Sequence, residues 1–312
     1  MQVATIRKLN DRIAEFELVA ADSGALPDWQ PGAHIRVSLP EGGDRAYSLI
    51  AFDAARQGCG AYRIAVQFEP EGQGGSRFMH SLKAGDTLTV TPPKCDFPLD
   101  ANAPALLLAG GIGITPMISM AAELAAKGTP FELHYAGRTR DAVAYAAELS
   151  EAFGAALHLH LDDEPENALD LAAMTGALGP DRHLYICGPR GMIDAARTLA
   201  ESAGIAPERI HVELFDNASA QQGDAPFEVE LASTGQVFTI PPGRTIIEVL
   251  EEGGVDLIYD CQRGDCGICQ TDVVSGVPDH RDVVLSEAEK AEGKVMQICV
   301  SRAKSARLVL DL

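Results

Sequence analysis

Four cysteines in the last third of the chain, Cys261, Cys266, Cys269 and Cys299, form a C-x4-C-x2-C run followed thirty residues later by a fourth thiol. That is the spacing of plant-type [2Fe-2S] centres, whose chemistry is one-electron transfer. Three thiolates must converge from a single loop that also turns backbone N–H groups toward the cluster sulfurs. Gly264 and Gly267 permit such a bend. The fourth ligand must come from a segment brought alongside by the fold, and 295–300, with Cys299 in it, is predicted as a strand for that purpose. Tetrahedral zinc also takes four thiolates, but paired C-x2-C knuckles on both halves favour it, and only one pair occurs here. Disulfides are disfavoured for seven cysteines in a chain without secretory features.

A second group of residues suits a phosphorylated, planar ligand. Arg45, Ala46, Tyr47 and Ser48 lie on a predicted strand, where alternation puts the Arg45 guanidinium and the Tyr47 ring on one face. Gly74, Gly75 and Ser76 precede a short apolar segment, so backbone N–H groups and one hydroxyl can approach a phosphate. Together these motifs favour a phosphorylated flavin. A third group, Gly111, Gly113, Thr115 and Pro116, sits between a strand and a helix, where a nucleotide phosphate is expected. It departs from G-x-G-x-x-G, and the second strand ends in Arg138 without a ribose-binding acid, which disfavours a plain Rossmann dehydrogenase. Cys187, Gly188 and Pro189 close a further strand at the same edge.

The elements that must position these groups can be read from changes of rhythm. Short segments at 33–39, 45–50, 61–68 and 87–91 predict a small antiparallel barrel. From Ala105 the pattern becomes strand, glycine loop, helix, with strands at 105–109, 131–135 and 184–186 and helices at 117–126 and 192–203. That alternation predicts a doubly wound parallel sheet. Residues 217–226 are small and polar, as in a linker, and a hairpin at 227–240 and a helix at 245–252 open a third domain.

At 312 residues and a formal charge of -20, the chain is expected to bind neither nucleic acid nor an anionic membrane. Residues 224–312 hold 16 acidic and 8 basic side chains, a net of -8, which suits a basic protein partner. The residues from Met1 to Lys8 read as a strand and lack the layout of a signal peptide, so a cytoplasmic location is expected. His34, His80 and His280 are expected to be packing or surface histidines.

The order of motifs, 45–48, 74–76, 110–116, 187–189 and then the cysteine loop, resembles the phthalate dioxygenase reductase family over essentially the whole chain. The resemblance implies an FMN-binding antiparallel β-barrel over 1–99, an NAD-binding α/β domain over 100–216, the linker, and an α+β (β-grasp) ferredoxin domain over 227–312. It implies that Arg45 contacts the flavin phosphate, with Gly74, Gly75 and Ser76 holding the same end. Tyr47 would flank the flavin ring, Ser48 would bond near its N5, and Phe215 would supply a further aromatic. Thr115 would lie by flavin and nicotinamide, and Cys187 would face the nicotinamide. The implied function is an NADH-dependent reductase that passes electrons to a terminal Rieske oxygenase. Two rivals remain at this point: a redox-sensing iron–sulfur flavoprotein with negligible NADH turnover, and an NADH-dependent flavin reductase that releases reduced FMN.

Overall fold

The computed structural model describes residues 1–22, 24–54, 60–70, 72, 74–179, 181–215 and 223–312. They form two compact units, Met1–Glu213 and Leu214–Leu312.

The first unit opens with β1 (Gln2–Lys8), β2 (Ile13–Val19), β3 (Ala33–Ser38), β4 (Asp44–Ser48), β5 (Ala61–Gln67), helix α1 (Gly75–Ser81) and β6 (Lys94–Cys95). The strands make two antiparallel three-stranded sheets, β1-β2-β5 and β4-β3-β6. The predicted strand at 87–91 is instead a connector that bridges β1 once, at Gln2↔Thr87, and β3 once, at Val37↔Val90. It must change sheets within a few residues and then meets Pro92 and Pro93, which donate no ladder hydrogen bonds. The Ile50 amide completes the link between the sheets by donating to the Arg63 carbonyl (2.9 Å). Phe16, Leu18, Ile35, Val37, Tyr62 and Ile64 fill the barrel so closed.

The unit continues with β7 (Ala105–Gly110), α2 (Ile114–Lys127), β8 (Phe131–Gly137), α3 (Ala146–Phe153), β9 (Leu157–Leu161), α4 (Leu171–Gly176), β10 (His183–Cys187), α5 (Arg190–Ser202) and β11 (Ile210–Glu213). The sheet is wholly parallel, in the order β11-β10-β7-β8-β9. β7 is buried at every residue, as a central parallel strand with helices over both faces must be. Strands β9 and β11 escape the sequence reading: β9 is Leu-His-Leu-His-Leu at a sheet edge and half exposed, so its apolar signal is diluted. Ile13, Ile50, Ala65 and Phe97 from the barrel lie in one continuous core with Met117, Ile118 and Ala121 of α2.

The second unit comprises β12 (Phe227–Leu231), β13 (Val237–Ile240), α6 (Ile246–Glu252), β14 (Gln270–Ser275), β15 (Pro278–Asp279), α7 (Glu287–Glu292), β16 (Val295–Gln297), β17 (Arg302–Ala303) and β18 (Arg307–Leu310). Its mixed sheet runs β13-β12-β18-β14-β16. Helix α6 starts on a capping box: Thr245 Oγ1 accepts from the Glu248 amide and Glu248 accepts from the Thr245 amide. Cys299 is not on a strand as expected; β16 ends at Gln297 and the chain turns, with the Ser301 amide donating to the Gln297 carbonyl (3.0 Å).

Residues 217–222 of the predicted linker lie outside the described residues. Asp224 is held fast: Arg281 donates to both of its carboxylate oxygens (3.0 and 2.6 Å) and also to Asp279. Arg302 donates to the carbonyls of Ala225, Pro241 and Arg244 and stacks over Phe227, 4.9 Å from the ring centre. The side chains of Arg281 and Asp224 are only 6% and 8% exposed, so removing Asp224 leaves a buried guanidinium with Asp279 as its one remaining carboxylate among the described residues. Asp224→Ala is expected to lower stability by about 3 kcal/mol, read as a shift in the urea midpoint; an unchanged midpoint would show that the pair contributes nothing. Among the described residues no helix is long and apolar enough to cross a membrane.

Candidate functional site: flavin cradle, nucleotide edge and cysteine loop

Strand β4 and the start of α1 come together. A Cβ on Gly75 would fall 2.6 Å from Cγ of Arg45, so only glycine lets the arginine stem lie on this backbone. Gly74 caps α1 in the left-handed region, φ 88°. Arg45 also donates to the Asp44 carbonyl, and Ala46 beside it is half-buried. Tyr47 is half-buried on the Arg45 face, and burial pushes its phenol up to about 12 against the opposing charge of Arg45. The Ser76 hydroxyl accepts from the Glu69 amide (3.0 Å), closing the loop ahead of α1.

Ser48 ends the strand 4% exposed, and its hydroxyl has no hydrogen-bond partner among the described residues. An orphaned buried hydroxyl costs about 1–3 kcal/mol, so the site fits a ligand that bonds to it, as a flavin ring edge does. Ser48→Ala should therefore leave the flavin-free protein as stable or more so, by on the order of 1 kcal/mol, while slowing flavin reduction by NADH. Thermal melting of the flavin-free protein and stopped-flow bleaching of the loaded one read the two effects; a destabilised flavin-free variant would mean that the hydroxyl is already satisfied.

The sequence did not single out Ser119. Buried in α2, it accepts from the Ala51 amide (3.0 Å) and donates to the Leu49 carbonyl (2.8 Å), so one hydroxyl ties the end of the flavin strand to the helix after the glycine turn.

At the carboxyl edge of the parallel sheet, β7 and β10 run in register, with Cys187 beside Ala109. Their ends touch through backbone: a Cβ on Gly113 would fall 2.2 Å from the Cys187 carbonyl oxygen and 2.8 Å from the Gly188 nitrogen. The structure thus brings the 111–116 and 187–189 segments together. Gly111 opens the turn with φ 55° and nothing over it, Pro116 lies in the first turn of α2, and Pro189 caps α5. The Thr115 hydroxyl, 2% exposed, donates to the Ile112 carbonyl (3.0 Å), and Cys187 is fully buried. Arg138 is exposed just past β8, at the same edge, and makes no hydrogen bond or ion pair within the described residues, as suits a group reserved for an anionic ligand. Glu213, 2% exposed and in register with Cys187 on β11, is a buried acid at this edge that the sequence reading overlooked. Its one signal was an acid closing the short Ile210–Glu213 strand after Val212.

In the second unit the cysteine loop folds as its spacing requires. Gly264 and Gly267 take φ of 84° and 79°. A Cβ on Gly264 would meet Val300 at 2.6 Å, so the loop lies directly on the Cys299 turn. The four thiols converge in one run of neighbours, Cys266 beside Cys261, Cys261 beside Cys299 and Cys299 beside Cys269. Hydrogen bonds from Cys266 and Cys299 pull the Cys261 thiol below its ordinary range, and one from Cys299 does the same for Cys269. The Arg263 amide donates to Cys261 Sγ at 3.3 Å, the N–H to sulfur contact expected of the loop. Four cysteine thiolates converging from one loop and the adjoining turn are the ligand set of a [2Fe-2S] cluster, and this arrangement fits it. Cys261, Cys269 and Cys299 are buried, while Cys266 is half-buried. Burial pushes Asp265, between the first two ligands, up to about 7, with Arg263 opposing. Phe215, 39% exposed, belongs to this second unit.

His80 packs on Phe16 and Phe68, and His34 is buried in the barrel, as expected. His280, half-buried, lies 3.9 Å from Asp282.

Comparison with known proteins accounts for both halves of this arrangement. Residues 229–304 match the 2Fe-2S iron-sulfur cluster binding domain, and 107–198 match the oxidoreductase NAD-binding domain. A tetrachlorobenzoquinone reductase of Sphingobium chlorophenolicum is 43% identical, the alignment covering 100% of this chain and 97% of that one. A vanillate O-demethylase oxidoreductase of Pseudomonas sp. (strain HR199 / DSM 7063) is 41% identical over 99% of this chain and 98% of its own length. The solved phthalate dioxygenase reductase, described as a modular structure for electron transfer from pyridine nucleotides to [2Fe-2S], superposes with a TM-score of 0.74 at 38% identity, covering 100% of this chain and 97% of that one. The chain is therefore an oxidoreductase of the phthalate dioxygenase reductase family.

Proposed function

We propose that this chain is the NADH-dependent reductase component of a two-component Rieske-type aromatic-ring oxygenase or O-demethylase, acting in the cytoplasm. The protein is an electron-transfer oxidoreductase of oxygenase systems, with NADH, FMN and a [2Fe-2S] cluster as its cofactors. When bound, the nicotinamide supplies hydride, the flavin accepts two electrons and the cluster carries one at a time.

The chain's own residues bind, orient and exclude water. Arg45, lying on Gly75, offers a fixed guanidinium to a phosphate, with the Gly74 and Gly75 amides at the same end. Ser48 holds a hydroxyl in a dry position for the flavin edge, and Tyr47 covers the ring. Gly113 lets the nucleotide turn close on Cys187, whose burial keeps water from that edge, while Arg138 receives the adenylate half and Thr115 firms the start of α2. Phe215 is the further aromatic assigned to the flavin. Cys261, Cys266, Cys269 and Cys299 hold the cluster from which an oxygenase draws electrons. Nucleic acid and membrane are not partners in this reading, in keeping with the charge of -20.

The observation that carries the proposal is the convergence of four cysteines in the same chain as the Ser48 cradle. Its test is NADH-driven reduction of a purified Rieske oxygenase, followed by loss of the oxidised Rieske spectrum. Reduction at a rate matching NADH consumption is expected. NADH turnover without transfer to any Rieske protein would leave the quinone as acceptor, a second reading favoured by the tetrachlorobenzoquinone reductase relative.

A further inference from the structure

On the opposite side of β8 from the core, away from the nucleotide edge, four side chains form a polar group that the electron path does not use. Glu132 and His134 lie two apart on β8, and His158 and His160 lie two apart on the edge strand β9, with His134 in register with His158. Ligand atoms of Glu132, His134 and His158 all lie within 4.8 Å of one another. The His134 ring stacks on both neighbours, 4.7 Å from His158 and 5.2 Å from His160 between centroids.

The hydrogen bonds fix where the protons are. The Asn167 carbonyl only accepts, so His160 Nδ1 donates to it (3.0 Å) and, in the neutral ring, Nε2 is a lone pair. That lone pair must accept from His134 Nδ1 (2.9 Å), which leaves a second lone pair on His134 Nε2. This nitrogen faces Oε2 of Glu132 at 3.2 Å. Arg182 donates to the other oxygen, Oε1 (3.0 Å), and holds the carboxylate in place. In that neutral tautomer two acceptors face each other, an arrangement that a bound cation satisfies.

We propose that Glu132, His134 and His158 form a binding site for a divalent transition-metal ion of the zinc class. Two histidines and one carboxylate are a common zinc ligand set, with water in the fourth position. The His160 to His134 hydrogen bond is the outer contact that fixes the ligand tautomer. His158, exposed on the edge strand, is the ligand free to turn onto the ion. Glu132 lies five residues before Gly137, the last residue of β8, which at about 3.3 Å per residue separates the ion from the nucleotide edge.

The test is titration of the cluster-loaded, FMN-loaded protein with zinc chloride by calorimetry, with the visible cluster spectrum recorded throughout so that zinc entering the cysteine site is detected. One equivalent is expected to bind with the spectrum unchanged. His158→Ala, an exposed change that leaves the fold alone, should weaken binding at least about tenfold, and His160→Ala should weaken it by roughly 10–100-fold through the outer contact. Failure to bind zinc, or binding unaffected by His158→Ala, overturns the proposal. Neither result bears on NADH-driven electron transfer.

Discussion

Cys266→Ser is expected to cut NADH-driven reduction of cytochrome c by on the order of a hundredfold, about 2.7 kcal/mol of barrier, while reduction of ferricyanide by the flavin persists. Serine oxygen is a poor ligand where thiolate is wanted, so the change removes one of the four thiolates that converge on the cluster site. Cys266 is the most accessible of the four ligands, so its replacement disturbs packing least and isolates the electronic effect. The comparison of the two acceptors is the measurement. If cytochrome c reduction survives loss of the cluster spectrum, electrons leave from the flavin, and the order NADH, FMN, cluster is wrong.

Gly113→Ala should be nearly as damaging at the other end of the path. The new methyl group would sit 2.2 Å from the Cys187 carbonyl oxygen and 2.5 Å from its carbon. Both are backbone atoms, so no rotamer change relieves the clash, and the ends of β7 and β10 must separate or the turn before α2 must shift. A displacement of about 1 Å at a reacting centre can cost on the order of a hundredfold, and kcat/KM for NADH with ferricyanide is expected to fall by that order. FMN retention, which depends on Arg45 and Gly75, should not change. Flavin content measured beside the kinetics separates the two sites. A kcat/KM close to that of the parent would remove the 111–116 turn from the nucleotide site.

The parts of this molecule that were legible in the sequence are those whose physics is local. The cysteine spacing dictates a loop geometry by itself, Arg45–Ser48 makes up most of one short strand, and Gly111–Pro116 directly follows a wholly apolar one. What stayed hidden depends on partners far along the chain. Ser119 meets Leu49 across 70 residues, Arg281 meets Asp224 across 57, and His134 meets His160 across 26. In one dimension Ser119 is a small residue in a helix and Asp224 one more acid in a polar stretch. Strand β9 was missed because its alternate residues are histidines, which weaken the apolar pattern without breaking it. Cys299 was placed on a strand because its neighbours are apolar; they are buried by packing on the cysteine loop, which a turn achieves as well.

The Ser119 bridge also bears on how such proteins can be recombined. A crossover at residues 99/100, between barrel and α/β domain, would divide a core that holds Ile50 and Phe97 with Met117 and would pair Leu49 and Ala51 from one parent with position 119 from another. A parent with alanine at 119 would leave the Leu49 carbonyl and the Ala51 amide unmatched next to the flavin strand. A crossover at Glu213/Leu214 keeps each compact unit whole. Chimeras between relatives are thus expected to inherit the first 213 residues as one block, and a library joined at both places should yield its flavin-retaining members from the second junction.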